Sequence, residues 1–344
     1  MLDSIEGVKP PQGGSEGNKQ HKTSYFAYRR LEDSLLIMYV QVMFIFLAAV
    51  GLPVNFLLVY IFCFSTVKVA ASDIFFIHLS IANLLQLITR IPTLIVPYQD
   101  NFCYPMSIPC KFFLFILFCS RKASMWITLL LDVFHLVKLT NKERFLSLIH
   151  LKKSCVQLCL ALNWFIWVAA GVPYPLLIPS DRPRQNTVHM NATCFCSLFD
   201  VLTEKDFFLK TYDMVFGTVL QGLAIILMCL VDVKVLWILR KHQLVIVSHD
   251  MSQGQRSHHR EVTAIKVITS LVVFFVICHL IDALLRNYSN EFVDHIRRLI
   301  EHLYPVVSPF ILGFGDKRFR KRIKCIMFCR PCKTTNVSEV MTVS

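Results

Sequence analysis

Charged residues are scarce in this 344-residue chain, since Asp, Glu, Lys and Arg together make up only 17% of it. A soluble domain carries about 25% charged residues. The chain also lacks a Gly-rich phosphate loop, a Gly-x-Ser-x-Gly elbow and a His-Glu-x-x-His helix. We therefore expect neither a soluble domain nor an enzyme, and no catalytic residue, metal or cofactor.

Hydrophobic residues, in contrast, are abundant. They make up 55% of the chain and include 28 Phe, which excludes a disordered protein. A bilayer is crossed by about 20 mostly apolar helical residues. On that basis the sequence predicts an all-α membrane protein, a seven-transmembrane helix bundle whose spans lie at 35–62, 72–98, 109–138, 153–178, 211–239, 263–285 and 296–315.

Charge placement predicts the orientation of this bundle. Lys and Arg are more frequent in the segments that would be cytoplasmic if the N-terminus lies outside and the C-terminus inside. Residues 1–34 lack the apolar core of a signal peptide and are expected to form a disordered extracellular tail, followed by the bundle at 35–315. Residues 316–344 are expected to form a basic, Cys-rich cytoplasmic tail. Its run from Lys317 to Arg322 adjoins an apolar stretch, so we expect it to bind the anionic leaflet of the lipid bilayer and no nucleic acid, despite a net charge of +13.

The predicted outer loops carry features of an oxidising, glycosylated compartment. Two N-glycosylation sequons begin at Asn191 and Asn287. Of the outer cysteines we favour a disulfide between Cys110 and either Cys194 or Cys196, because it would tie the long outer loop to the top of the third helix. Beyond the basic run, three cysteines are candidates for palmitoylation: Cys325, Cys329 and Cys332.

Ionisable side chains at membrane depth are functional candidates, because burying a charge in lipid is costly. Arg121 lies near mid-membrane in the third predicted helix, where it needs a partner from the protein or from a ligand. His279 and Asp282, three residues apart in the sixth predicted helix, could be that partner instead of a ligand. An arginine fork favours carboxylate, sulfate or phosphate groups.

The helices contain neither carboxylate runs suited to an ion pathway nor matching Gly-broken half-helices, so signal transmission is favoured over transport. The whole resembles a rhodopsin-like G-protein-coupled receptor in its outer Cys at the head of helix three and in three further features, Gly51-Leu-Pro-Val-Asn55, Leu79-Ser-Ile-Ala-Asn83 and Trp164. Several of that superfamily's motifs are replaced. Asn83 stands for the usual aspartate, Phe134-His135-Leu136 for Asp-Arg-Tyr and Ser308-Pro309-Phe310 for the start of Asn-Pro-x-x-Tyr, while Cys-Trp-x-Pro is missing.

These departures resemble vomeronasal type-1 receptors and their fish olfactory relatives. Four patches carry the resemblance: Asp73-Ile-x-x-x-His78-Leu-Ser-x-Ala-Asn-Leu-Leu with Thr89-Arg-Ile-Pro92, Cys110-Lys111 with Arg121 and Ser124, Leu130-Leu-x-Val-Phe134, and Pro305-Val-Val-Ser-Pro-Phe-Ile-Leu312. The family often has Arg-Gly at mid-helix three, whereas this chain has Arg121-Lys122.

The resemblance implies a pheromone or odorant receptor of the plasma membrane that signals through a heterotrimeric G protein. We expect a small-molecule ligand, anionic by hypothesis, in the outer half of the bundle near Arg90, Phe115, Phe118, Arg121, His279 and Asp282. The G-protein surface is expected at the inner ends, around His135, Lys138, Lys142, Arg144, Arg240 and Lys266. The alternatives are a bitter-taste-type receptor, a small-solute transporter or channel, and a non-signalling scaffold.

The favoured disulfide yields a first prediction. Replacing Cys110 by Ala should abolish folding at the cell surface, because the outer loop loses its tether to helix three. Surface labelling and signalling of the Cys110→Ala receptor measure this, and normal values of both would count against the assignment.

Overall fold

The computed structural model describes residues 15–64, 70–89, 91, 108–140, 149–177, 211–247, 255–285, 291–315 and 320. Within these residues the chain forms seven long helices: α1 (Ser15–Phe64), α2 (Ala71–Ile88), α3 (Ile108–Thr140), α4 (Ile149–Gly171), α5 (Leu220–Val247), α6 (Gln255–Leu285) and α7 (Glu291–Gly315). A single turn at Pro173–Leu177 follows α4, and a π-helical segment at Asp213–Val219 leads into α5. The chain divides into two units, Met1–Met43 and Phe44–Ser344, and the packing described below lies within the second.

Six of these helices are long and apolar enough to cross a bilayer. The stretches are Met38–Cys63, Ala71–Ile88, Lys111–Thr140, Lys153–Gly171, Met214–Ile238 and Lys266–Leu285. Helix α7 is not among them, because Arg297, Arg298 and Glu301 fall in its first half. The part of the chain that the structure describes is all-helical, as predicted, and a seventh span and the orientation of the termini stay predictions. Helix α1 begins at Ser15, ahead of the span predicted from residue 35 and inside the predicted tail.

Helix α3 occupies the centre of the bundle, since it contacts α2, α4, α5 and α6. Its Ala123, Ile127 and Leu131 follow one another at intervals of four residues and are fully buried, as expected for one face of an α-helix. Large apolar side chains lie on the outside of the bundle, with Phe165 71% exposed and Trp237 62% exposed. This outward-facing apolar surface suits lipid, in which it carries no hydration cost.

A buried amide network joins α1, α2 and α7 where α7 contains Pro309. Proline has no N–H, so the carbonyl four residues earlier, that of Pro305, is left without its helical donor. The Asn55 Nδ2 donates to that oxygen at 2.9 Å. Asn83 Nδ2 donates to Ser308 Oγ at 2.9 Å and lies 3.4 Å from Asn55 Oδ1. The network therefore satisfies polar groups that lipid could not.

Close packing of α1 against α2 and α7 yields a second prediction. A Cβ added at Gly51 would lie 2.8 Å from both Leu87 Cδ1 and Val306 Cγ2, whereas one added at Gly222 meets nothing within 4 Å. We expect overpacking in Gly51→Leu to lower the free energy of unfolding of the detergent-solubilised protein by about 1–3 kcal/mol, and its melting temperature with it. Gly222→Leu is the control. Equal melting temperatures for the two variants would contradict this packing.

Candidate functional site

Arg121 is held inside the bundle by two carboxylates from two other helices. Its Nη2 lies 2.7 Å from Asp282 Oδ2 on α6, and its Nη1 lies 2.9 Å from Glu301 Oε1 on α7. Asp282 is 1% exposed and Glu301 8%, while Arg121 keeps 21% exposure. The fork of one guanidinium therefore links α3 to both α6 and α7 through charge-assisted contacts.

Arg297 completes a ring of four charges. On α7 it lies one turn before Glu301, with 3.6 Å between Nη1 and Oε1, and the same Nη1 is 3.8 Å from Asp282 Oδ1. Neither Arg297 nor Glu301 was among the site residues predicted from the sequence. Their spacing of four residues, which places them on one helix face, was the available signal that they act together.

Lys122 extends the cluster towards α5. Its buried Nζ donates to the Gly217 carbonyl at 2.8 Å and lies 3.2 Å from Gln221 Oε1. Gly217 belongs to the π-helical segment, and wide turns of this kind are frequent at functional sites. Lys122 occupies a position where the resembling family often has glycine, and its ammonium group connects α3 to the π-helical segment and to α5.

Gln221 connects Lys122 to the charged ring and to His279. Because its Oε1 accepts from Lys122, its Nε2 is directed to His279 Nδ1 at 3.1 Å and to Asp282 Oδ2 at 3.4 Å. An amide N–H can only donate, so His279 Nδ1 accepts and the ring proton is assigned to Nε2. Asp282 thus contacts Arg121 directly, and His279 is connected to it through Gln221.

Aromatic rings lie beside His279. The ring centroid of Phe275 is 4.1 Å from that of His279 and 4.5 Å from that of Tyr304. The Tyr304 hydroxyl is 2.9 Å from Thr128 Oγ1, which gives a second side-chain link between α3 and α7. His279 thus contacts both a polar side chain, that of Gln221, and an aromatic ring, that of Phe275.

The two predicted aromatic ligand residues of α3 face a different neighbour. The Phe118 ring lies 6.3 Å from that of Trp167 on α4, and Phe115 packs so closely on Gly171 that an added Cβ would be 2.9 Å from its Cε2. The structure thus brings together Arg121, Asp282 and His279 and places Phe115 and Phe118 towards α4. Arg90 lies outside the described residues.

Of the residues predicted for G-protein coupling, Lys138, Arg240 and Lys266 are exposed. His135 is buried, and its ring lies 5.4 Å from that of Phe134, which in turn packs on Phe75. It offers no surface to a partner in this arrangement.

Several other predicted positions fall wholly or partly outside the described residues. Cys110 lies in the first turn of α3, and its side chain is not described. The remaining predicted positions lie outside the described residues: Lys142, Arg144, Asn191, Cys194, Cys196, Asn287, Cys325, Cys329 and Cys332. Among the described side chains, no group of three or more His, Cys, Asp or Glu is arranged to hold a metal ion.

Arg121 yields a third prediction. Arg121→Leu takes from the buried Asp282 and Glu301 their shortest basic contact and leaves the longer ones to Arg297, and removing one partner of a buried ion pair costs about 3–5 kcal/mol. We expect a clear fall in the thermal stability of the purified protein, and partial recovery when Asp282→Asn and Glu301→Gln are added. The exposed Arg240→Leu serves as control. An Arg121→Leu protein as stable as that control would show that the ring does not hold the bundle.

Comparison with known proteins identifies the chain's relatives. Hydroxycarboxylic acid receptor 2 of Rattus norvegicus is 27% identical over 236 residues, 67% of this chain and 57% of that receptor. The Homo sapiens receptor of the same name is 27% identical over 237 residues, 69% of this chain and 58% of the receptor. The chain thus spans less than two thirds of the length of these two relatives. Vomeronasal type-1 receptor 2 of Homo sapiens is 24% identical over 312 residues, 83% of this chain and 73% of that protein.

The family model of the vomeronasal organ pheromone receptor family matches residues 36–325, which is most of the chain. The matching proteins are receptors, and members of the family are multi-pass proteins of the plasma membrane. The resemblance drawn from the sequence patches is confirmed: the chain belongs to the vomeronasal organ pheromone receptor family and is a multi-pass membrane protein of the cell surface.

Proposed function

We propose that this protein is a G-protein-coupled chemosensory receptor whose seven helices cross the plasma membrane with the N-terminus outside. Its ligand is a small organic anion, which binds in the outer half of the bundle and contacts Arg121. The observation that carries the proposal is the position of Arg121 itself. It is a guanidinium inside a membrane protein, joined to α6 and α7 and still 21% exposed.

Charge favours an anion over a neutral or cationic ligand. The cluster contains three basic groups, those of Arg121, Lys122 and Arg297, and two carboxylates, those of Asp282 and Glu301. With His279 neutral its formal charge is positive by one. A monoanionic ligand cancels this charge, whereas a cation increases it in a medium that screens charges poorly.

The names of two relatives agree with this ligand class. Both hydroxycarboxylic acid receptors are named after a class of carboxylic acids, and each aligns with about two thirds of this chain. An arginine fork meets a carboxylate with two parallel hydrogen bonds, which combines charge with directional recognition. We therefore assign the ligand to the carboxylic acids.

Activation follows from the helices that Arg121 joins. A ligand shifts a conformational equilibrium only by binding one arrangement more tightly than the other. A group that contacts Arg121 alters the links from α3 to α6 and α7, so it acts on the relative positions of three helices. The basic inner ends at Lys138, Arg240 and Lys266, with Lys142 and Arg144 shortly after α3 in the sequence, form the proposed G-protein surface.

The fourth prediction tests the ligand class. Cells that carry the receptor, a promiscuous G protein and a calcium reporter are exposed to acetic, hexanoic, benzoic, phenylacetic and lactic acids and to their methyl esters. We expect each active acid to be more potent than its ester by about ten- to a hundredfold, the value of a charge-assisted hydrogen bond.

An Arg121→Gln receptor that reaches the surface should lose this preference for acids, while Arg240→Gln should keep it. Equal potency of acids and esters on the unmodified receptor would reject an anionic ligand. Ion flux through the purified protein in vesicles without G protein would favour a channel or transporter instead.

A further inference from the structure

The two carboxylates on Arg121 are held to different degrees. Asp282 is 1% exposed, and its oxygens are approached by groups from three helices: Arg121 on α3 at 2.7 Å, Gln221 at 3.4 Å and Arg297 on α7 at 3.8 Å. Glu301 is 8% exposed and has Arg297 as a second basic partner on its own helix, at 3.6 Å. Glu301 is therefore the carboxylate that is more easily detached from Arg121.

We propose that Glu301 is an internal competitor of the ligand, so that a ligand carboxylate takes its place on Arg121 while Glu301 stays paired with Arg297. This inference rests on the proposed function, because it takes the ligand to be a carboxylic acid. It makes Glu301 and Arg297, neither of which needs to touch the ligand, determinants of affinity for acids.

The exchange keeps every charge paired. Before it, Arg121 contacts Asp282 and Glu301. After it, Arg121 contacts Asp282 and the ligand, and Glu301 retains Arg297 one helical turn away. A buried charge that loses its partner is strongly destabilising, so an exchange that leaves none unpaired has a much lower cost than removal of Glu301 alone.

The exchange also has a direction in the fold. The contact of Arg121 with Glu301 joins α3 to α7, whereas its contact with Asp282 joins α3 to α6. Replacing Glu301 by a ligand therefore loosens α7 from α3 and leaves the α3–α6 link in place. Binding energy of the acid is in this way converted into a change at one helix pair.

The fifth prediction is a pair of opposite effects. Glu301→Gln removes the competing charge, so the concentration of acid for half-maximal response should fall by about fivefold or more, a change of the size usual for coupled sites. Ligand-free nucleotide exchange on the G protein should rise in the same variant. Arg297→Gln removes the alternative partner of Glu301, so the same concentration should rise by about fivefold or more. The probes are acetic, hexanoic, benzoic and phenylacetic acids, with their methyl esters as ligands that cannot compete for a guanidinium by charge.

Two further variants guard against failure to fold. Glu301→Gln combined with Arg297→Gln removes a pair of opposite charges and should respond to acids like Glu301→Gln alone, because the competitor is gone. Glu301→Asp retains the negative charge and should return acid potency towards that of the unmodified receptor. Surface labelling of each variant normalises the responses.

The outcomes separate this inference from the proposed function. If the unmodified receptor responds to acids but Glu301→Gln and Arg297→Gln shift potency in the same direction, the inference is overturned and the function stands. A loss of acid potency in Glu301→Gln would likewise overturn it, since Glu301 would then support binding. If the unmodified receptor prefers no acid over its ester, the proposed ligand class fails, and this inference with it.

Discussion

Lipid offers no water to a polar group, and this constraint decides how the interior of the protein is built. A charge at membrane depth must find its partner on another helix or on its own. Arg121 does so with Asp282 and Glu301, and Arg297 lies close enough to share both carboxylates. The helices that supply these groups are thereby held at one relative position, so the electrostatic requirement becomes a restraint on packing.

The bundle answers the same constraint with neutral groups elsewhere. The carbonyl that Pro309 leaves without a donor accepts from Asn55, and Asn83 reaches both Asn55 and Ser308. Helix α7 thus takes part in an ionic cluster and an amide network, which lie at different heights along its length. A neutral amide network costs less to open than a buried ion pair, whereas the ionic cluster responds strongly to an added charge. This difference is why a charged ligand is proposed to act at the cluster.

Lys122 shows how a departure from a family pattern acquires a role in the fold. The position often holds glycine in the resembling family, and a lysine there has no partner that the sequence reveals. In the structure its Nζ contacts the Gly217 carbonyl of a π-helical segment and the side chain of Gln221. The amide of Gln221 is thereby turned towards His279 and Asp282. One added charge on α3 is thus connected to α5 and α6.

The sequence by itself determined the class of the protein, because apolar segments of membrane length and scattered buried charges follow from composition and spacing alone. It also singled out Arg121, His279 and Asp282, since each is costly in lipid wherever it points. It did not reveal that Glu301 and Arg297 belong with them, because residues far apart in the chain meet only when helices are rotated and docked. Nor could it show that Phe115 and Phe118 pack towards α4 while Arg121 faces α6 and α7. Which face of a helix meets which neighbour is a property of the packed bundle, and the partners of Arg121 were decided there.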